Sequence, residues 1–444
     1  MNRNYFIRPL IYGICLLFTL TAQAQWKQDR FIIGTFYDPK LPNGNMKDTA
    51  IYAQKLQGVK DAYFNLLTGM DHNYDPAFID YKLKLINRLG LKTLLMNEAS
   101  WGKGNTTFNN AKAAQWLDYT TKLDKDRSNA LYGYFIFDEP LIPRQKDIKN
   151  WVSYVKGRDK NRLAYINLLP AYLFKTHEEY EKYLDTFLSG NDSGKFDVIS
   201  YDFYPFLKDG ILPEYFYNLD ILKQKANGRP IWCFALTTKH REHPEIGPYE
   251  LNFMVFAPLT YGVKGMLYFT YETIVGSSVE FGKALVDPNN APTTKYYQVK
   301  NINRFLSKVA GPIIMNSANV GTYHVSEEPY TNQSLQPDDM LNKNTPVVNK
   351  IDNENMMVGI FKSNNGEYNL LLFNKSSDRL RQVAITLKGN YQNKTSLSVP
   401  YTQYKESTTN AFQSLSGTYD SANDLTRVVV SFDAGEGRIL KLKP

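Results

Sequence analysis

From Phe31 to about Ala310, short runs rich in β-branched and aromatic residues alternate with stretches whose apolar positions recur at helical spacing. The strand-like runs are Phe31–Phe36, Ala62–Leu67, Lys92–Met96, Leu131–Phe137, Arg162–Leu168, Asp197–Tyr201, Pro230–Leu236 and Gly265–Tyr271. The helical stretches between and after them are Ile51–Gln57, Phe78–Leu89, Ala111–Leu123, Ile148–Lys156, Tyr180–Leu188, Tyr217–Lys225, Glu250–Tyr261 and Tyr296–Val309. Eight β-then-α units of about thirty residues predict a (β/α)8 TIM barrel over residues 25–311. Gly90, Gly133 and Gly262, at or just before strand runs, suit αβ turns. A doubly wound open sheet is the rival, but it needs no eighth strand, and no Gly-rich phosphate turn follows the first run.

The pattern changes after Gly311-Pro312. Residues 330–349 are rich in Asn, Pro, Gln and Asp and read as a polar loop. Strand-like runs then follow at Met356–Phe361, Tyr368–Phe373, Gln382–Leu387, Thr395–Val399, Arg427–Phe432 and Arg438–Leu442. Turn signals lie at Asn364-Asn365-Gly366 and Asp433-Ala434-Gly435. With no helix-period segment among them, residues 312–444 are expected to form a small all-β sandwich that covers the barrel's flank.

The first residues bear on compartment. Arg3 and Arg8 precede the apolar stretch Leu10–Leu20, and Ala22-Gln23-Ala24 has the small-x-small pattern of a cleavage site, so residues 1–24 read as a signal peptide. The stretch is too short to span a bilayer, and Cys15 lacks the flanking residues of a lipidated cysteine. A secreted or periplasmic protein with no membrane span after cleavage is expected. The formal charge of +8 falls to +6 once Arg3 and Arg8 are gone, and both signs are interspersed. Such diffuse charge gives no support to nucleic-acid binding, although it would suit an anionic polysaccharide. Cys233 is then the one remaining cysteine, so no internal disulfide forms, and its apolar strand makes it core rather than nucleophile. Five scattered histidines offer no evident metal centre; His240-Arg241-Glu242-His243 reads as a solvated loop, and no cofactor or metal is expected. The sequence does not indicate an oligomeric state.

In a TIM barrel the chemistry lies at the carboxyl ends of the strands. Acids stand at six of the eight ends here: Asp38, Asp71, Glu98, Asp138-Glu139, Asp202 and Glu272; Asn97 and Asn167 join them. Paired carboxylates at one face are what glycoside hydrolysis requires, one to protonate the leaving oxygen and one to attack or to activate water. Glu139 follows the apolar run Tyr134–Phe137, which would desolvate its carboxyl and raise its pKa, and Asp138 beside it, pointing elsewhere, would push the same way. Acids at this position also favour the N-terminus of a following helix.

Aromatic residues support a carbohydrate substrate. Tyr201, Tyr204, Trp232 and Tyr271 cluster in or near strands six to eight, and Trp101 lies past strand three. Flat rings stack on the apolar faces of sugars, while Tyr and Trp polar atoms bond their hydroxyls. Alternate members of these runs must instead fill the barrel core.

The blocks Gly133–Pro140 (GYFIFDEP), Tyr165–Pro170 (YINLLP), Asp197–Pro205 (DVISYDFYP) and Tyr261–Tyr271 (YGVKGMLYFTY) together resemble secreted glycoside hydrolase-like proteins of Bacteroidetes-type bacteria. These are related in pattern to the retaining clan that includes the family 42 β-galactosidases. The resemblance covers the barrel. It implies an acid/base Glu after strand four, which Glu139 matches, and a nucleophilic Glu at the end of strand seven. Strand seven reads Pro230–Thr238 (PIWCFALTT), with no carboxylate, so the partner must come from elsewhere. Glu272, then Asp202, then Glu98 are the candidates. The pair Tyr201-Asp202 is also similar to family 18 chitinases, but that family's spaced aspartates before the strand-four Glu are missing.

The expected function is O-glycoside hydrolysis of a poly- or oligosaccharide, with Glu139, Glu272 and Asp202 as catalytic candidates. Asp138, Asn97, Glu98, Trp101, Asn167, Tyr201, Tyr204, Trp232 and Tyr271 are the expected substrate contacts. The alternative is a glycan-binding barrel that has lost its strand-seven nucleophile; a metal-assisted hydrolase using the acidic rim is more remote.

Overall fold

The computed structural model describes residues 26–443, apart from 45, 70–74, 97–107, 126–128, 190–194, 327–339 and 342–344. Eight parallel strands close into a barrel: β1 (Ile32–Phe36), β2 (Leu66–Leu67), β3 (Lys92–Met96), β4 (Leu131–Asp138), β5 (Leu163–Leu168), β6 (Ile199–Tyr201), β7 (Ile231–Leu236) and β8 (Gly265–Phe269). Each is followed by a helix: α1 (Thr49–Asp61), α2 (Pro76–Leu89), α3 (Asn110–Lys125), α4 (Gln145–Arg158), α5 (His177–Leu188), α6 (Tyr215–Ala226), α7 (Pro248–Thr260) and α8 (Thr294–Phe305). The TIM barrel expected from the hydrophobic pattern is thus the observed fold. The second strand is shorter than expected because Ala62 and Tyr63 still bond back to Gly58 and Lys60 and finish the turn of α1.

Alternation along the strands sorts the side chains. Phe36, Phe135 and Phe234 meet inside the barrel, with Phe36 5.2 Å from Phe234 and 6.1 Å from Phe135. Below them Tyr165 packs between Phe135 and Trp232 at 5.0 and 5.7 Å. Gly265 makes room for Trp232: a Cβ there would lie 2.5 Å from the indole.

Beyond α8 the chain runs through a π-helical turn, Leu306–Ala310, and a short helix, Gly311–Met315, into two antiparallel sheets. One holds, in spatial order, Ser317–His324, Met356–Ser363, Tyr368–Asn374, Gly437–Leu442, Thr395–Ser398 and Phe412–Leu415. The other holds Val348–Ile351, Leu380–Lys388, Leu425–Phe432 and Thr418–Asp420. Val358, Ile360, Leu370, Leu372 and Leu440 face the second sheet, while the intervening Met357, Phe361, Leu371, Phe373 and Ile439 join the barrel's core. A period of two therefore assigns each residue to one of two cores. Val348, expected in the polar loop, opens a strand; its side chain is fully buried between the sheets.

Helix α7 explains the docking. Every residue from Leu251 to Thr260 is buried, so this helix is apolar on all sides, as a helix enclosed by the barrel and a sheet must be. Gly359 lets the sheet touch it: a Cβ would lie 2.3 Å from the Thr260 carbonyl oxygen.

Candidate active site

Strand β4 carries a bulge just before its acidic end. Phe135 pairs with Tyr165 and Phe137 with Ile166, so Ile136 is an extra residue on this strand. Simple alternation from the inward Phe135 would turn Asp138 out and Glu139 in. The bulge shifts the parity, and Asp138 instead pairs with Asn167 and faces the barrel axis. Glu139 then takes a left-handed backbone, φ 49°, its N–H donating to the Asn167 carbonyl at 2.9 Å. Bulge and turn together bring two consecutive acids to the same mouth, contrary to the expectation that Asp138 points elsewhere. A non-glycine residue in this region is strained by about 1–3 kcal/mol and is held there by its surroundings.

Asn167 is the hub below them. Its amide Nδ2 donates to Asp202 Oδ1 at 2.7 Å, and its Oδ1 accepts from the Ser200 hydroxyl at 3.0 Å. Ser200 is in turn 2.8 Å from the Tyr165 hydroxyl. Asn167 also hydrogen-bonds Asp138, whose Oδ1 has no partner. Asp202, just beyond β6, makes side-chain hydrogen-bond contact with Glu139. Three carboxyls thus meet around one asparagine. Glu139 is exposed at the open mouth, while Asp138 and Asp202 are half-buried beneath it.

All three carboxyls are pushed upward. Burial raises Asp138 to about 8, helped by the neighbouring charge of Glu139. Burial also raises Glu139, against the opposing hydrogen bond of Asp202 and the charge of Arg241. Asp202 is raised well above the ordinary carboxylate range, by burial first and then by Glu139 and Asp138. Carboxyls in contact cannot all ionise cheaply, so the Glu139–Asp202 pair gives up its protons less readily than separate carboxyls would.

Aromatic rings wall the mouth. Tyr204 lies edge-on to His243 at 5.6 Å and against Phe269 at 6.0 Å. Tyr37, directly after β1, packs on Phe269 at 5.6 Å, and its phenol is raised by burial and by the charge of Asp138. Tyr172, after β5, is half-buried; its phenol is raised by burial and by the nearby Asp202 and Glu139.

Other expected site residues lie elsewhere. Glu272 turns outward and pairs with Lys55 of α1 at 2.8 Å, the two side chains 15% and 5% exposed. Tyr201 points into the layer between barrel and helices, near Cys233 and Tyr215, its hydroxyl unpartnered. Trp232 fills the opposite end of the barrel, donating to Gln28 at 2.9 Å. Tyr271 packs on Phe64 at 5.6 Å behind the sheet. Each parity is that of the outward or lower position on its strand. Asp38 is fully engaged by Thr35, Thr68 and Gly69, tying the end of β1 to that of β2. Asn97, Glu98 and Trp101, like Asp71, lie outside the described residues. Sequence reasoning missed Tyr37, Tyr172, Arg241 and Phe269; Tyr37 and Phe269 stand at strand ends and were legible by position.

No family model and no curated protein matches the chain. In fold it is similar to solved glycoside hydrolases. The family 42 β-galactosidase Gan42B from G. stearothermophilus, solved as a catalytic mutant, aligns over 94% of this chain and 99% of that one, at 9% identity and a TM-score of 0.55. A family 39 glycoside hydrolase from Bacteroides cellulosilyticus WH2 aligns over 93% and 81% at 10% identity, TM-score 0.49. An endo-β1,6-glucanase aligns over 95% and 93% at 10% identity, TM-score 0.48. The chain therefore shares the TIM-barrel fold of Gan42B; at 9% identity the likeness is one of fold.

Proposed function

We propose that this protein is a glycoside hydrolase that cleaves O-glycosidic bonds in a poly- or oligosaccharide, with Glu139 and Asp202 working as one acid/base pair. The observation that carries the reading is the contact of these two raised carboxyls at an open, aromatic-walled mouth. Glu139, the exposed member, faces the substrate. The proton held between the two carboxyls passes to the leaving oxygen as the glycosidic C–O bond breaks, and the vacated charge spreads over the pair. Water then adds to the anomeric carbon and returns a proton to the pair. Asp138 beneath, and Asn167 between them, hold the geometry, while the half-buried Tyr37 and Tyr172 offer ring faces and hydroxyls to the sugar and the buried Tyr204 backs the wall.

Carboxyls in contact leave no room for a sugar carbon between them, unlike the spacing of about 5–5.5 Å that serves a protein nucleophile. With Glu139 and Asp202 acting as one pair, this reading takes the attacking group to be water or a group on the substrate itself. Asp202 replaces Glu272 as the proposed partner. The N-terminal pattern supports action outside the cytoplasm, and among the described residues no helix is long and apolar enough to cross a membrane. Residues 25–311 and 312–444 are proposed as the catalytic and flanking units. The test is Glu139→Gln in a reducing-sugar release assay over a glycan panel: turnover is expected to vanish with folding and glycan binding intact, and undiminished turnover would refute the assignment.

A second reading, a glycan-binding barrel without turnover, is favoured by the end of β7. Thr237 and Thr238 are buried there, Thr237 donating to the Thr270 carbonyl at 2.7 Å, where the retaining pattern calls for a carboxylate. Binding without release across all bound glycans selects it.

A further inference from the structure

Past those threonines the β7 loop makes a tight turn. His240 and His243 exchange backbone hydrogen bonds at 3.4 and 2.9 Å, leaving Arg241 and Glu242 at the tip. The turn is anchored from three sides. His243 Nδ1 lies 2.8 Å from the Phe206 carbonyl oxygen, and its ring meets Tyr204 edge-on at 5.6 Å. His240 stacks on Phe281 at 4.7 Å and packs on Phe269 at 5.5 Å. Gly282 N–H donates to the Lys239 carbonyl at 3.0 Å, joining this loop to the one after β8. The turn therefore sits on the same two rings, Tyr204 and Phe269, that wall the carboxyl site.

Arg241 at its tip is exposed and has a left-handed backbone, φ 51°. It forms no hydrogen bond or ion pair with any described residue, and Glu139 is near enough to feel its charge without touching it. Tyr172, which packs on Phe203 at 5.0 Å, feels the charges of Asp202, Glu139, Arg241 and Glu242, so these groups lie in its neighbourhood. A guanidinium carried on an anchored, strained turn beside the carboxyls, with no partner among the described residues, is a planar fork open to an oxyanion. Were neutralising the carboxyls its whole task, contact with Glu139 would serve better than this separation.

We infer that Arg241 receives an anionic group of the substrate, so that the glycan cut here carries carboxylate or sulfate on a sugar next to the scissile bond. Tyr172 lies in that neighbourhood and offers its hydroxyl to the same group. The inference rests on the hydrolase reading for the word "cut", but its binding half stands without it. The β7 end, vacant of a nucleophile, has become the point of charge selection.

The experiment uses the full chain carrying Glu139→Gln, so that glycans bind without turnover. Affinities are measured for a uronate-bearing glycan, a sulfated glycan and a neutral glycan, with and without Arg241→Gln and Arg241→Lys. One anionic class is expected to bind about tenfold to a hundredfold more tightly than the neutral glycan, the range of a hydrogen-bonded charge pair. Arg241→Gln should collapse that ratio and Arg241→Lys should keep part of it, since a point charge replaces the fork. The uronate and sulfate arms say which group is recognised. Equal affinity for neutral and anionic glycans, or a ratio that Arg241→Gln leaves unchanged, overturns the inference. Release assays on the chain with Glu139 intact separate the two ideas: neutral glycans cut as fast as anionic ones refute the inference alone. Anionic selectivity without any release refutes only the hydrolase reading.

Discussion

Asn167 holds Asp202 through a 2.7 Å hydrogen bond from its side-chain amide, while its own backbone carbonyl receives the N–H of Glu139. One residue of β5 thereby fixes the separation of groups carried by β4 and β6. Replacing it with alanine removes the amide from Asp202 and Asp138 and leaves Ser200 without its acceptor. Turnover is expected to fall about a hundredfold through misplacement of the pair, with KM changing much less. Steady-state kinetics beside a circular-dichroism melt would check this; unchanged turnover would remove Asn167 from the site.

The contact of Glu139 with Asp202 has a signature in pH. Two coupled carboxyls lose protons in two macroscopic steps, and in the proposed mechanism the singly protonated pair is the working form. Turnover is expected to rise as the first proton leaves and fall as the second leaves, the descending limb lying above the ordinary carboxylate range because both groups are raised. Asp202→Asn should cost about 10²–10⁴-fold in rate and erase the ascending limb, since Glu139 then has no ionising carboxyl in contact to share its proton with. A bell that survives in this variant would mean that the partner is another group.

Asp138 links pH to stability. Its folded value of about 8 stands above the ordinary 3.8, so the folded chain holds a proton that the unfolded chain gives up. Its contribution is therefore fully present below the unfolded value and is lost as pH rises through the folded one. The melting temperature of the parent protein is expected to decline between roughly pH 4 and pH 8 relative to Asp138→Asn, which stays protonated-like throughout. Parallel melting curves for the two proteins over that window would contradict the buried, raised state.

Glu272 should behave oppositely to Glu139. Its pairing with Lys55 is largely buried, and Glu272→Gln strands that ammonium beside α1. A loss of about 3 kcal/mol in stability is expected, since breaking a buried pair leaves an uncompensated charge. The turnover number, measured well below the melting point, should stay within a few-fold of the parent's. A large loss of turnover without loss of stability would return Glu272 to the chemistry.

The barrel was legible because each strand run is apolar and bounded, and each helix keeps its period; α2, α5 and α6 differ from expectation only at their ends. Missed strands were the polar ones. Ser317–His324 alternates between half-exposed and exposed positions along most of its length, and Thr418–Asp420 is an edge. For the candidate site, position at strand ends pointed to Glu139, Asp138, Asn167, Asp202 and Tyr204, which the fold brings to one end of the barrel. It failed for Tyr201, Trp232 and Tyr271, because a ring's type does not tell which way its strand turns it. The bulge at Ile136 has no local signal, and without it Asp138 could not be aimed. Arg241 was passed over as part of a solvated loop, since only the contacts of His240 and His243 make that loop rigid.

Helix α7 has two insides. Phe253 meets the C-terminal sheet through Phe373 at 5.3 Å and Phe256 meets Tyr401, in the turn beyond one of its strands, at 5.7 Å, while the same helix closes the barrel. Cutting the chain after the eighth helix would uncover this greasy flank and yield a sticky, insoluble fragment rather than a free-standing barrel. The last third of the polypeptide is a permanent lid on one rib of the barrel, and truncation, swapping or grafting of either part must carry α7's second partner along.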